Sequence, residues 1–268
     1  MEHVLWIGGP PGAGKTTIAS RIARKHGLRL YSSDARTWEH RDRAIREGNP
    51  AALRWEAMTP SERWERASLD ELLALTLHRE RGQMIVDDLR RLPASPLIVA
   101  EGSPIAPETV RDRRRAVWLI PTPEFQRAQL DARWLEPGPL ALYLRLAAEI
   151  DRQAREHGMR VVAVDGSRSV DEIVASVERL FADILAEGPH AATPGERRAL
   201  VREANATIAS QVRAYHARPW AEGDPDAAVR TFACECGDRS CDADVRLAVG
   251  SFDDGPVLAP GHAEELLT

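Results

Sequence analysis

Eight consecutive residues near the start of the chain, Gly9-Pro10-Pro11-Gly12-Ala13-Gly14-Lys15-Thr16, form a complete GxxxxGK[ST] motif, and nothing else in the sequence constrains it as much. The spacing has a physical reason. Glycines let backbone N–H groups turn inward around phosphate oxygens, and a helix starting directly afterwards offers its positive end to the same anion. In that arrangement Gly9 to Thr16, with Thr17, cradle a nucleoside triphosphate such as ATP. Lys15 reaches the β- and γ-phosphates, and the Thr16 hydroxyl joins the shell of a Mg²⁺ ion. The context fits, because an apolar run, Val4–Gly8, precedes the motif and an amphipathic stretch, Thr16 to His26, follows it.

Further short apolar runs at 28–33, 97–100, 116–120 and 160–164 alternate with helical patterns. That alternation predicts an α/β, three-layer phosphate-loop (P-loop) NTPase fold around a parallel sheet. Thr59-Pro60-Ser61-Glu62 reads as a capping box that starts a helix running into 64–77. Thr122-Pro123 opens a helix through about Trp134, and 140–155 is helical in pattern. Ser169 with Glu172 forms a second capping box, before apolar residues spaced along one face from Ile173 to Ile184. Glu187-Gly188-Pro189 breaks the pattern, and Thr193-Pro194-Gly195-Glu196 starts a helix to about Tyr215. The expected division is a main domain over 1–188 and a helix with a small Cys/His module over 189–268.

Composition narrows the partners. With 41 acidic and 36 basic residues and a net charge of -5, the chain carries no broad positive field, so no nucleic acid is expected. The apolar stretches are too short to span a bilayer, and residues 1–9 lack the basic start and long apolar segment of a secretory signal. Three clustered cysteines in an odd number point to a reducing, cytoplasmic setting. Lys15 and Lys25 are the only lysines among the 36 basic residues, which makes the placement of Lys15 stand out.

Beyond the loop, the order of elements over 1–187 resembles that of small-molecule P-loop kinases, a group that includes chloramphenicol phosphotransferase, gluconate kinase and zeta-toxin-like kinases. The resemblance implies an ATP- and Mg²⁺-dependent phosphotransferase acting on the hydroxyl of a small molecule. It implies that Asp34, after Leu30-Tyr31-Ser32-Ser33, accepts or orients the proton of the acceptor hydroxyl. A helical insert from Arg36 to Leu92, carrying Trp38, Trp55 and Trp64, would close over that acceptor. Glu101 stands where a Walker-B carboxylate would lie, Arg127 and Arg133 would supply a lid arginine, and Asp165-Gly166-Ser167-Arg168 would flank adenine.

The same residues also have plainer readings. Asp34 caps a helix beginning near Ala35, Glu101 caps the turn before Pro104, Arg127 pairs with Asp131, and the tryptophans are core. Arg111, Arg113, Arg114 and Arg115 read as a solvated helix end. The alternative function is a nucleotide-dependent regulatory or interaction protein whose C-terminal module binds a partner.

Cys234-x-Cys236-x4-Cys241, followed by His262, offers three thiolates and one imidazole to a structural Zn²⁺. The spacing is not a standard CxxC pair, and the alternative is a set of reduced thiols. The segment 195–262 resembles a short cysteine-rich module of actinobacterial proteins, a likeness that carries no activity. A hairpin through 245–249 with a return near Val257 would bring His262 to the thiols, and Gly237 would relieve the loop between them. The main domain, with its own core, is expected to be independent of that staple.

Overall fold

The computed structural model describes residues 1–132 and 137–263. In chain order, β1 (Val4–Gly8) leads into α1 (Lys15–His26), and β2 (Arg29–Ser32) into α2 (Thr37–Arg46), α3 (Pro50–Ala57), α4 (Leu69–Leu75) and α5 (His78–Arg91). Then come β3 (Ile98–Glu101), β4 (Ala116–Pro121), α6 (Pro123–Asp131), α7 (Pro137–Glu156) and β5 (Val161–Val164). After α8 (Val170–Leu180) and α9 (Ala182–Glu187), the chain ends in α10 (Pro194–His216), β6 (Val229–Ala233) and β7 (Asp244–Ala248).

Strands β1 to β5 form one parallel sheet in the order β2-β3-β1-β4-β5. Parallel strands covered on both faces must be apolar throughout, which is why β1, β3 and β4 read as continuous hydrophobic runs. In β1, Leu5 and Ile7 face the layer built by α1 and α8, while Val4 and Trp6 face α5 and α7. Each such side chain, once buried, contributes roughly 1.5–3 kcal/mol. The result is a three-layer α/β architecture with the phosphate-loop motif directly after β1, and a small antiparallel β6–β7 sheet added at the C-terminal end.

The helix expected over 64–77 is broken. The Thr59–Glu62 box forms, with Thr59 N–H donating to Glu62 (2.8 Å) and Glu62 N–H to Thr59 Oγ1 (3.2 Å). It starts only a π-type turn, Glu62–Arg66, because Ala67 is extended and Ser68 caps α4 by accepting the Glu71 N–H (3.2 Å). Helix α6 ends at Asp131; its expected continuation, with Arg133 and Trp134, lies outside the described residues.

Helix α10 is 23 residues long, about 35 Å, and begins with a reciprocal Thr193/Glu196 box. Ala209 and Val212 on it pack with Phe232, Val249, Phe252 and Val257 in a separate small core. The segment is nonetheless tied to the sheet. Leu97 N–H donates to Pro189 O (2.8 Å), Ala191 N–H to Gly27 O (2.8 Å), and Arg29 of β2 pairs with Glu203 of α10 (3.0 Å). Among the described residues, no helix is long and apolar enough to cross a membrane.

Candidate active site and metal centre

The loop after β1 leaves the sheet beside β4. At Gly9, φ is +134°, and an added Cβ would lie 2.3 Å from the Leu119 carbonyl oxygen, so only glycine serves there. Gly14, with φ +78°, opens α1, and Gly14, Thr16 and Thr17 are exposed, leaving first-turn N–H groups without helical partners. Gln126 of α6 fastens the loop by donating Nε2 to Pro11 O (2.9 Å).

Lys15 is not the free surface lysine that a loop position implies. Only 4% exposed, it donates Nζ to Pro10 O (2.9 Å) and to Ser103 Oγ (3.2 Å), closing the loop onto the turn after β3.

The strand register sets the ends of β1, β3 and β2 side by side, pairing Glu101 with Ile7 on one flank and Ser32 on the other. The Glu101 side chain is fully buried. Its Oε1 accepts hydrogen bonds from Thr16 Oγ1 (3.2 Å) and from the Ser32 hydroxyl, and its Oε2 has no partner. Burial, and next the Asp34 charge, push its pKa up to about 7, against the pull of Lys15, Ser32 and Thr16. A carboxyl with one orphaned oxygen beside a hydroxyl is an oxygen donor set suited to a hard divalent cation.

Asp34 opens a 3₁₀ turn, Asp34–Arg36, just past β2, and its carboxylate caps neither that turn nor α2. Arg81 Nη2 lies 4.0 Å from its Oδ1. Arg81 is itself buried, donating Nη2 to Ser33 O (2.5 Å) and Nε to His40 Nδ1 (3.4 Å). Behind it, Asp88 Oδ2 accepts from the Tyr31 hydroxyl (2.7 Å) and meets His40 Nε2 (2.8 Å), while Arg43 takes Oδ1. With Nδ1 accepting from Arg81, the network assigns the His40 proton to Nε2.

Burial is the main cause that holds the His40 pKa below 6.5, with the Arg81 and Arg43 charges adding to it and Asp88 opposing. A depressed folded pKa contributes stability that is present above the unfolded value and lost as pH falls through the folded one. The melting midpoint of the chain should therefore drop as pH falls from 7 toward 5, and His40→Asn should flatten that slope. An unchanged slope in the variant would assign the acid sensitivity elsewhere.

Arg127 lies on an exposed face of α6 with Asp131 at 3.4 Å. Trp55 meets Trp64 edge-on (5.5 Å) and has Arg41 (4.5 Å) and Arg63 (4.7 Å) over its ring, so these tryptophans are bound up in the insert's own packing. Asp165 Oδ1 accepts the Ser167 N–H (2.9 Å) in a tight turn after β5. Arg114 and Arg115 pair with Asp112. Sequence reasoning missed Arg81, Ser32, Ser103 and Gln126. For Arg81 a signal existed, since it shares a helical stripe with Ile85 and Leu89, both buried.

No protein-family model and no curated protein matches this sequence. Solved structures are similar to it, and two of them show how far the likeness goes. Shikimate kinase from Acinetobacter baumannii, in complex with shikimate, is 18% identical with a TM-score of 0.42, over 67% of this chain and 93% of that one. TT1252 from Thermus thermophilus is 19% identical with a TM-score of 0.45, over 68% of this chain and 97% of that one. Both likenesses are distant. They carry nothing about chemistry, which rests on the side chains described above.

At the other end of the chain, the donor atoms of Cys234, Cys236, Cys241 and His262 lie within 4.8 Å of one another. His262 Nδ1 is 3.5 Å from both Cys234 Sγ and Cys241 Sγ. A tetrahedral site with metal–sulfur bonds of ~2.3 Å has donor–donor edges of ~3.8 Å, so little movement is needed. Ala259 N–H donates to Cys234 Sγ (3.3 Å), orienting that ligand from outside the donor set. Gly237 has φ +85°, and an added Cβ would sit 2.5 Å from Pro194 O, so the loop between thiols presses directly on the start of α10. All three thiols are free of disulfides, and a sulfur-rich set with one imidazole suits Zn²⁺.

Proposed function

We propose that this chain is an ATP- and Mg²⁺-dependent phosphotransferase acting on a hydroxyl group of a small molecule. The observation that carries this reading is Glu101: fully buried, hydrogen-bonded to the phosphate-loop Thr16, with one oxygen unpartnered and the Asp34 charge close by.

In this reading Gly9 to Thr17 bind the triphosphate, and Lys15 exchanges its bonds to Pro10 and Ser103 for phosphate oxygens. Thr16 and Glu101 hold Mg²⁺, which when bound offsets charge on the transferring phosphoryl group. Asp34 orients the acceptor hydroxyl or takes its proton, and Arg81 keeps that carboxylate in place. Arg127, on the helix that Gln126 fastens to the loop, and Arg133 are the lid candidates. The Cys/His cluster holds one structural Zn²⁺, and the free thiols suit a cytoplasmic setting.

ADP release measured against a metabolite library tests the activity. A hydroxyl-bearing compound should accelerate it and emerge phosphorylated. Nucleotide binding without transfer to any acceptor, combined with a response to a macromolecule, would replace this reading with a regulatory one. Elemental analysis tests the metal: purified chain should hold about one zinc, lost in Cys236→Ser. Protein purified without chelator and free of zinc would retire that site.

A further inference from the structure

By sequence α10 belongs to the Cys/His module, yet its second half grips the turn that carries Asp34. Gln211 Nε2 donates to the Asp34 main-chain oxygen (3.1 Å), and Gln211 Oε1 accepts the Trp38 N–H (3.2 Å). One side chain thereby brackets the stretch from the acceptor-side carboxylate to the first turn of α2. Neither the Asp34–Arg36 turn nor α2 has a side-chain cap of its own, so Gln211 partners an N–H that α2 cannot satisfy internally.

The grip continues past Gln211. The Trp38 ring packs against Tyr215 and Trp220, each at 5.6 Å between centroids. Arg218 donates to Trp38 O (3.3 Å) and pairs with Asp42 (2.7 Å) and Glu56 (3.5 Å).

The first half of the same helix is fixed to the cysteine knuckle. Asn205, 1% exposed, pairs in both directions with Ala233, accepting its N–H (2.9 Å) and donating to its oxygen (2.9 Å). Asn205 also donates to Glu235 Oε1 (2.7 Å). Glu235 lies between Cys234 and Cys236, is 1% exposed, and further accepts the Val257 N–H (3.2 Å). Six residues separate Asn205 from Gln211, about 9 Å of continuous helix. A helix held rigidly at one point fixes the register of a side chain at the other.

We infer that the Cys/His module positions the acceptor side of the active site. The metal knuckle sets Asn205, α10 carries that register to Gln211, and Gln211 holds the Asp34–Trp38 turn. The two large clusters that build the main domain contain no residue of the module, so its core needs no staple; the Asp34 turn does. The inference rests on the proposed transfer reaction for what Asp34 does, and on the proposed zinc for what fixes the knuckle.

Hydrogen–deuterium exchange on the full chain tests it without an acceptor, alongside MgATP hydrolysis with water taking the phosphoryl group. Gln211→Ala should speed exchange at the Trp38 amide about tenfold, the scale of one lost hydrogen bond, and leave peptides covering 9–17 unchanged. Chain stripped of zinc by chelator and returned to magnesium buffer should do the same. In both, kcat for MgATP hydrolysis should fall about tenfold while KM for ATP holds. Gln211→Glu, which still accepts the Trp38 N–H, should restore protection at that amide. Unchanged exchange over 33–40 in Gln211→Ala, or in chain shown to have lost its zinc, would overturn the inference. Altered exchange in a chain that as wild type neither hydrolyses MgATP nor transfers its phosphoryl group to any acceptor of the metabolite library would leave the positioning intact and remove the kinase reading instead.

Discussion

Lys15→Ala should lower phosphoryl transfer by at least ~10³-fold while the chain stays folded. The ammonium is the fixed positive charge of the phosphate loop, and charge that strengthens its hold only as the phosphoryl group moves acts on kcat rather than on assembly. Its burial raises the question of whether the fold survives its loss. Two hydrogen bonds from a charged donor disappear, to Pro10 O and Ser103 Oγ, each with a net contribution of about 1.5–3 kcal/mol. Glu101 loses the cation that draws its pKa down, and it then takes up a proton instead of remaining an unpaired buried charge. Melting and ADP release measured on the same preparation decide the matter. Wild-type turnover in this variant would end the proposed mechanism.

Asp34→Asn should reduce kcat by ~10²–10⁴-fold with ATP affinity retained, the range for removing a positioned general base. Arg81 keeps its bonds to Ser33 O and His40, so the turn should hold its shape. A second readout accompanies this one. The Asp34 charge helps raise the Glu101 pKa, so its removal should lower that pKa and reduce the Mg²⁺ concentration needed for half-maximal nucleotide binding at pH 7. If ATP affinity falls while the chemistry survives, Asp34 is a metal-site or structural residue.

The parallel sheet was legible because β1, β3 and β4 are buried on both faces and stand out as apolar runs closed by Gly, Pro or a carboxylate, while the margin strands β2 and β5 are only partly covered. Caps were legible for a similar reason, since Thr193 with Glu196 and Ser169 with Glu172 satisfy each other within one turn of chain. The phosphate loop is entirely local. What surrounds Asp34 is not. Its partners arrive from positions 81 and 211, and Arg81 hides among the charged residues His78-Arg79-Glu80, where only its phase with Ile85 and Leu89 marks it as inward-facing. Gln211 reads as one more polar residue on a long helix. The break at Ala67-Ser68 was invisible because the residues around it favour a helix, and a single serine competing for a backbone N–H divided them.

Strand β2 lies at the margin of the parallel sheet, and among the described residues one row of its backbone groups faces no other strand. Such a margin is a template for pairing with another chain, and proteins commonly protect it with charge or an overlying helix. Here both devices come from one place: α10 lies against β2, and its Glu203 holds Arg29 at the strand's first residue. The C-terminal segment therefore covers one of the two margins of the sheet, β5 forming the other. A chain cut after Gly188 would retain the loop, Glu101 and Asp34, yet present an open sheet edge, and its characteristic failure would be self-association before any loss of fold.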